Sequence, residues 1–217
     1  MKGSFYTILL LAAALAVTTF ELVKLQHTSK QQPASVDKRA AVLENLHSRK
    51  SVRKFTSQAV SDSDLVTLVK AGMTAPSGHD ARPWQFIIIK NKETMKKLRS
   101  KLEWARGLDG STAAIVVCGD MSMVKPINKE FWITDASAAT ENILLAIEAM
   151  GLGGVWSTLY PGEDRMQHAR EVLGLPAHVM PLCVIPIGYP TGVEKAKNKY
   201  NPAQLHWEKW ESSKKES

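Results

Sequence analysis

Four short apolar runs alternate with stretches of helical spacing along this chain, and that alternation limits it to helices packed against one sheet. The runs are Trp84 to Lys90, Ala113 to Gly119, Gly154 to Thr158 and Met180 to Gly188. Each has the length and flanking residues of a buried strand. Before and between them, Asp37 can cap a helix running through Leu43, Leu46 and His47, and Ser61 with Asp64 makes a capping-box-like start for a helix over Leu65 to Met73. Helical spacing returns from Asn91 to Trp104. A long helix is predicted from Thr134 or Asp135, carrying Ile143, Leu144, Ile147 and Met150 and stopping at Gly151, and a shorter one over Glu163 to Leu173. Elements in this order give an α+β or α/β sandwich around a single sheet.

The 217 residues, 44% hydrophobic and 23% charged, suit one globular domain, placed at 37–217, with a short appendage before it. Residues 1–24 are predicted to be a signal peptide or membrane anchor. Phe5 to Phe20 is almost wholly apolar and uncharged, Ala14-Leu15-Ala16 offers a small-x-small cleavage point, and Glu21 and Lys24 end the run. Residues 25–36, rich in Gln, Lys and Ser, read as a polar linker. Either reading of the appendage makes the protein exported or membrane-anchored.

A net charge of +7 is compatible with nucleic-acid or anionic-membrane contact, but the cations are spread along the chain. No aromatic-interleaved basic stretch is present, so a nucleic-acid partner is not expected. Cys118 and Cys183 each sit in an apolar run and read as two buried thiols, although an exported chain could join them. The six histidines are scattered without metal-ligand spacing, so no metal is expected.

Several site chemistries are missing. There is no Gly-rich dinucleotide fingerprint after a strand, no P-loop and no Gly-x-Ser-x-Gly elbow. Two clusters remain. Arg49-Lys50-Ser51-Val52-Arg53-Lys54 packs four cations and a hydroxyl directly after a predicted helix, the chemistry of an anion grip and equally of a solvated face. Ala75 to Trp84 is a turn-rich loop in which Pro76 and Gly78 set the backbone path while Ser77, His79, Asp80 and Arg82 crowd at the rim of a strand.

With these residues in view, the chain resembles the nitroreductase family. Arg49-Lys50-Ser51-Val52-Arg53 is similar to that family's flavin-phosphate motif, and Ala75 to Trp84 to its Pro-Ser turn followed by Pro-Trp. Asp135 to Trp156, Leu173 to Pro176, Pro186 to Pro190 and the tail from Asn198 to Trp210 extend the likeness over nearly the whole domain. The resemblance implies a three-layer α+β sandwich with one mixed, mainly antiparallel sheet flanked by helices. It also implies a homodimer with FMN at each interface, reduced by NAD(P)H and reoxidised, ping-pong, by an electron-poor nitroaromatic or quinone. The chemistry lies on the flavin, with no catalytic side chain.

Residue by residue, Arg49, Lys50 and Ser51 would hold the phosphate, with Val52 counted beside them among the cofactor-binding residues, and Lys197 or Lys199 would close over it. Arg53 would face the pyrimidine edge of the ring, where a cation stabilises the anionic reduced flavin. Pro76, Ser77 and Gly78, with Asp80, would border the ring from the partner subunit. Trp156, Ser157 and Thr158 would present donors to its reactive edge. Phe131 and Trp132, in a stretch from Met121 to Thr134 expected to be flexible, are candidates for shaping the substrate pocket, Trp132 being equally readable as core. Asp80 and Arg82 replace amides common in relatives and are expected to pair with each other. Alternatives are a reductive dehalogenase of the same fold and a non-catalytic flavin-binding protein.

Overall fold

The computed structural model describes residues 15–21, 24 and 37–210. The chain divides into two units, residues 1–41 and 42–217. In the first, residues 15–21 are helical, with the Thr18 and Thr19 hydroxyls donating back to the Leu15 carbonyl at 2.9 Å. The expectation of an exported or membrane-anchored protein is corrected here. Among the described residues no helix is long and apolar enough to cross a membrane. The rest of the predicted signal or anchor, residues 1–14 and 22–23, and all of the predicted linker, residues 25–36, lie outside the described residues.

Helix α1 spans Lys38–Ser48, and the Asp37 carboxylate accepts from the amides of Arg39 and Ala40 at 3.0 and 3.3 Å, the cap read from the sequence. Helix α2 spans Asp62–Met73, capped by the Ser61 hydroxyl accepting from the Asp64 amide at 3.0 Å. Strand β1 is Trp84–Ile89 and β2 is Ala113–Asp120. Between them α3 covers only Lys92–Arg99, shorter than its apolar spacing suggests. Its chain turns at Ser100, and Leu102 and Ala105 are buried from irregular backbone. Helix α4 is Phe131–Ala149, starting three or four residues before the polar start signal at Thr134 and Asp135. Asp135 is therefore not a cap, and its carboxylate is turned to another use described below. The predicted third strand divides into β3, Gly153–Gly154, and β4, Ser157–Thr158. Helix α5 is Glu163–Leu173 and β5 is Val179–Gly188.

The sheet order is β1-β2-β5-β3, with β4 also pairing β5. Every described pairing of these strands is antiparallel. Pro181, which has no amide to donate, falls at a register shift between Val117 and Cys118, where a ladder bond is already interrupted. Side chains alternate across β2. Ile115 and Val117 pack with Leu65 and Leu68 of α2 and Ile143 and Ile147 of α4, while Ala114, Val116 and Cys118 pack with Met95 and Leu98 of α3 and Ala169 of α5. Two helices on each face complete the three layers.

This alternation also places the two cysteines on opposite faces, Cys183 with the first cluster and Cys118 with the second. Both are free, and burial pushes each thiol up to about 12. Neither is expected to react with a maleimide at pH 8 until the protein is unfolded. Stoichiometric labelling of the folded protein, read by intact mass, would contradict this burial.

Candidate functional site

The anion grip begins where α1 ends. The Asn45 side chain donates to the Leu145 carbonyl at 3.0 Å, fixing the end of α1 against α4, and the chain leaves the helix at Arg49. Two carboxylates of α4 then catch the first two cations. Arg49 Nε lies 3.3 Å from Glu141, and Lys50 Nζ donates to both oxygens of Glu148 at 2.8 and 3.2 Å. Glu141 and Glu148 are two helical turns apart and so share a face of α4. Lys50 thus commits its ammonium to Glu148, while Arg49, bound to Glu141 through Nε, also lines the cavity described next.

Val52 anchors the segment from below. Val52 is 1% exposed and its amide donates to the Gly154 carbonyl at 3.0 Å, so neither its side chain nor its amide is left for a ligand. The approach depends on Gly153, where a Cβ would lie 2.6 Å from Val52 Cγ1. Beyond it, the Arg53 and Lys54 amides converge on one oxygen of Glu194, at 2.8 and 3.1 Å. Burial alone would raise the Glu194 carboxyl, but those amides, its own amide and the nearby Lys54 charge outweigh it and hold the group below the ordinary glutamate value.

Arg49, Lys50, Ser51, Arg53, Lys195, Lys197, Lys199 and Glu194 line one cavity of about 380 Å³. The predicted grip and the two predicted tail lysines are therefore neighbours in space. A second cleft of about 400 Å³ shares Arg49, Lys197 and Lys199 and adds Leu46, His47 and Tyr200. A larger cavity of about 570 Å³, bounded by Phe55 to Ser57, α3 and Leu108 to Thr112, contains none of the predicted site residues. The residues Trp156, Ser157 and Thr158 follow directly from the Gly153–Gly154 strand on which Val52 rests. Trp156 is half-buried against the core, Ser157 is buried and Thr158 is exposed.

The Pro76–Gly78 turn lies toward the other end of α4. The Gly78 amide donates to Asp135 Oδ1 at 2.9 Å, and the second oxygen of that buried carboxylate has no partner among the described residues. The Ser77 hydroxyl accepts from the Arg82 amide at 3.0 Å. His79, Asp80 and Arg82 all adopt positive φ, 53°, 55° and 49°, which strains residues that have a Cβ. Asp80 and Arg82 are joined by two hydrogen bonds of 2.7 Å, and the guanidinium holds the Asp80 carboxyl below its usual range. Phe131 is exposed, with the His79 ring stacked over it at 6.2 Å. Trp132 is core, edge-on to Tyr160 at 5.0 Å. The stretch before them, expected to be flexible, is built of short 3-10 turns at Met121–Met123 and Pro126–Asn128.

Three acids, Glu141, Glu148 and Glu194, were not singled out in the sequence, and Asp135 was read there only as a helix start. Glu141 and Glu148 carried a signal, an i, i+7 acidic pair on a predicted helix. Glu194, one acid in a lysine-rich tail, carried none.

The fold is a three-layer α+β sandwich with a cavity lined by basic residues. The nitroreductase family model matches residues 46–105 and 100–189, and the chain belongs to this family. A protein of Archaeoglobus fulgidus named "Putative NADH dehydrogenase/NAD(P)H nitroreductase" is 39% identical over 171 residues, covering 77% of this chain and 98% of its own. A crystal structure carrying the same name, from Parabacteroides distasonis, superimposes with a TM-score of 0.74 at 46% identity, covering 78% of this chain and 98% of that one. An FMN-dependent nitroreductase from Clostridium difficile superimposes with a TM-score of 0.71 at 28% identity, covering 77% and 99%.

Proposed function

We propose that this chain is an FMN-dependent oxidoreductase that takes hydride from NAD(P)H and delivers it to electron-poor acceptors such as nitroaromatics or quinones. The observation that carries this reading is the gathering of Arg49, Lys50, Ser51, Arg53, Lys197 and Lys199 around one cavity. That donor set fits a phosphate monoester, combining a planar fork, point charges and a hydroxyl. When bound, FMN supplies a two-electron carrier, reduced by NAD(P)H and reoxidised by the acceptor in separate half-reactions.

The protein's own groups bind and orient. Arg49 and Ser51 hold the phosphate, with Lys50 held in place by Glu148. Arg53 places positive charge where negative charge develops. Asp135 fixes the Gly78 turn, and the exposed Phe131 ring beside it offers an apolar surface to an aromatic acceptor. No protein nucleophile is required.

The site is read as shared by two copies of the chain. Gly78 is held at Asp135 and Lys50 at Glu148, and thirteen residues of helix separate those anchors by about 20 Å. The turn of one protomer therefore serves the partner's cradle better than its own. Leu205, Trp207 and Trp210 are 48%, 78% and 79% exposed in the single chain, which suits a face covered by a second copy. Light scattering is expected to give a dimer. A monomer that retains flavin would contradict the shared site.

Steady-state rates with NAD(P)H and a quinone are expected to give parallel double-reciprocal lines. Converging lines would contradict ping-pong transfer, and halide release from a halogenated tyrosine would favour the dehalogenase alternative.

A further inference from the structure

The amides of Arg53 and Lys54 point at a single oxygen, the geometry of a small backbone anion nest. Its anion is supplied by the chain itself. Glu194 stands at the start of the tail segment that carries Lys195, Lys197 and Lys199 and has no helix or strand of its own. Upstream, the tail is tied to the same segment by the Phe55 to Pro190 bridge, the Thr56 amide on the Tyr189 carbonyl at 2.8 Å and the Thr191 amide on the Lys54 carbonyl at 3.2 Å. Beyond Glu194, the described hydrogen bonds of residues 195–205 are local to the tail, such as Tyr200 on Asn198 and Ala203 on Asn201. Glu194 is thus the last described tie before the lysines.

We propose that Glu194 is a latch, a positioning residue that pins the lysine-bearing tail over the grip and so sets how tightly the phosphate group is retained. The inference rests on the FMN reading given above and assigns a determinant to that same site. Electrostatics require such a tie, because six cations line the cavity and would otherwise repel one another. Glu141 and Glu148 answer Arg49 and Lys50 from α4, and Glu194 alone among the lining residues is acidic. Its other oxygen is buried without a partner among the described residues.

The charges facing Glu194 are all cationic: Arg49, Lys50, Arg53 and Lys54 from the grip segment, and Lys195, Lys197 and Lys199 from its own. Since its pKa is lowered from 4.5, the charged latch is fully formed above that value and is lost as pH falls through the lowered one.

The test compares wild type with Glu194→Ala and Glu194→Gln as full chains. In Glu194→Ala, the dissociation constant for FMN is expected to rise about tenfold, the scale of losing a charged hydrogen-bonded tie. Tryptic cleavage after Lys195, Lys197 and Lys199 is expected to accelerate by a similar factor, while the melting temperature of the flavin-free protein stays near that of wild type. Glu194→Gln keeps an acceptor for the two amides and is expected to restore most of the protection. Unchanged cleavage and unchanged FMN affinity in Glu194→Ala would overturn the latch, as would an equal loss in both variants accompanied by a lower melting temperature. If wild type itself bound no FMN, the cofactor reading would fail, and the cleavage arm would still decide the latch.

Discussion

Arg49→Ala is expected to raise the dissociation constant for FMN about 10- to 100-fold. Arg49 lines both cationic clefts, and its side chain is only 17% exposed, held at Nε by Glu141. Each charge-assisted bond lost to a ligand costs roughly 1.5–3 kcal/mol. Removal also leaves Glu141 without its partner at the rim of a site meant for an anion, so repulsion adds to the lost attraction. Arg49→Lys should fall between, keeping the charge and losing the bidentate fork. Fluorescence titration of the flavin-free protein measures both. By contrast, Arg53→Ala is expected to leave retention largely intact and to slow reduction by NAD(P)H. Equal effects from the two substitutions would contradict this division of labour.

Gly153→Ala is expected to damage stability and site together. The added methyl would meet three Val52 atoms, at 2.6, 2.8 and 3.1 Å, and Val52 has nowhere to go, being 1% exposed and stiff at χ1. Overpacking of this kind costs about 1–3 kcal/mol, and for a domain of this size each kcal/mol lowers the melting temperature by about 2–4 °C. The clash also pushes the grip away from the Gly154 carbonyl, so FMN affinity should fall with stability. A second substitution, Val52→Ala, separates contact from general damage. If the account holds, Gly153→Ala is less harmful in the Val52→Ala background than in wild type, because the methyl then has space. Additive effects would place the cause elsewhere.

How much of this was legible in the sequence depends on the range of the interaction. Strand runs and caps are local, so the Asp37 and Ser61 caps and three of the four apolar runs are found where they were read, while the run from Gly154 to Thr158 divides into two short strands. The failures are tertiary. The Asn91 to Trp104 pattern is helical in spacing, yet α3 stops at Arg99 and buries Leu102 from a turn, since burial and helicity share a pattern without sharing a cause. Val52 sat inside a polar motif and proved to be core, because its environment is a glycine a hundred residues away. The N-terminal apolar run was read by composition, whereas crossing a membrane requires a length of helix that the described residues do not provide.

The basic residues that line the cavity could be picked out because most of them are contiguous in sequence, at Arg49 to Arg53 and Lys195 to Lys199. The acids that steady them could not, because each reaches its partner across the fold: Glu148 to Lys50, Glu141 to Arg49, Glu194 to the Arg53 amide. A cluster of cations without counter-charges would repel itself, and these carboxylates supply the compensating charge.

The central claim is that the cradle at Arg49 to Arg53 holds FMN, and the visible spectrum of the purified protein tests it most directly. The account predicts a yellow protein with flavin absorption that releases FMN, in about one equivalent per chain, on denaturation. A colourless protein that takes up no FMN on reconstitution would contradict it.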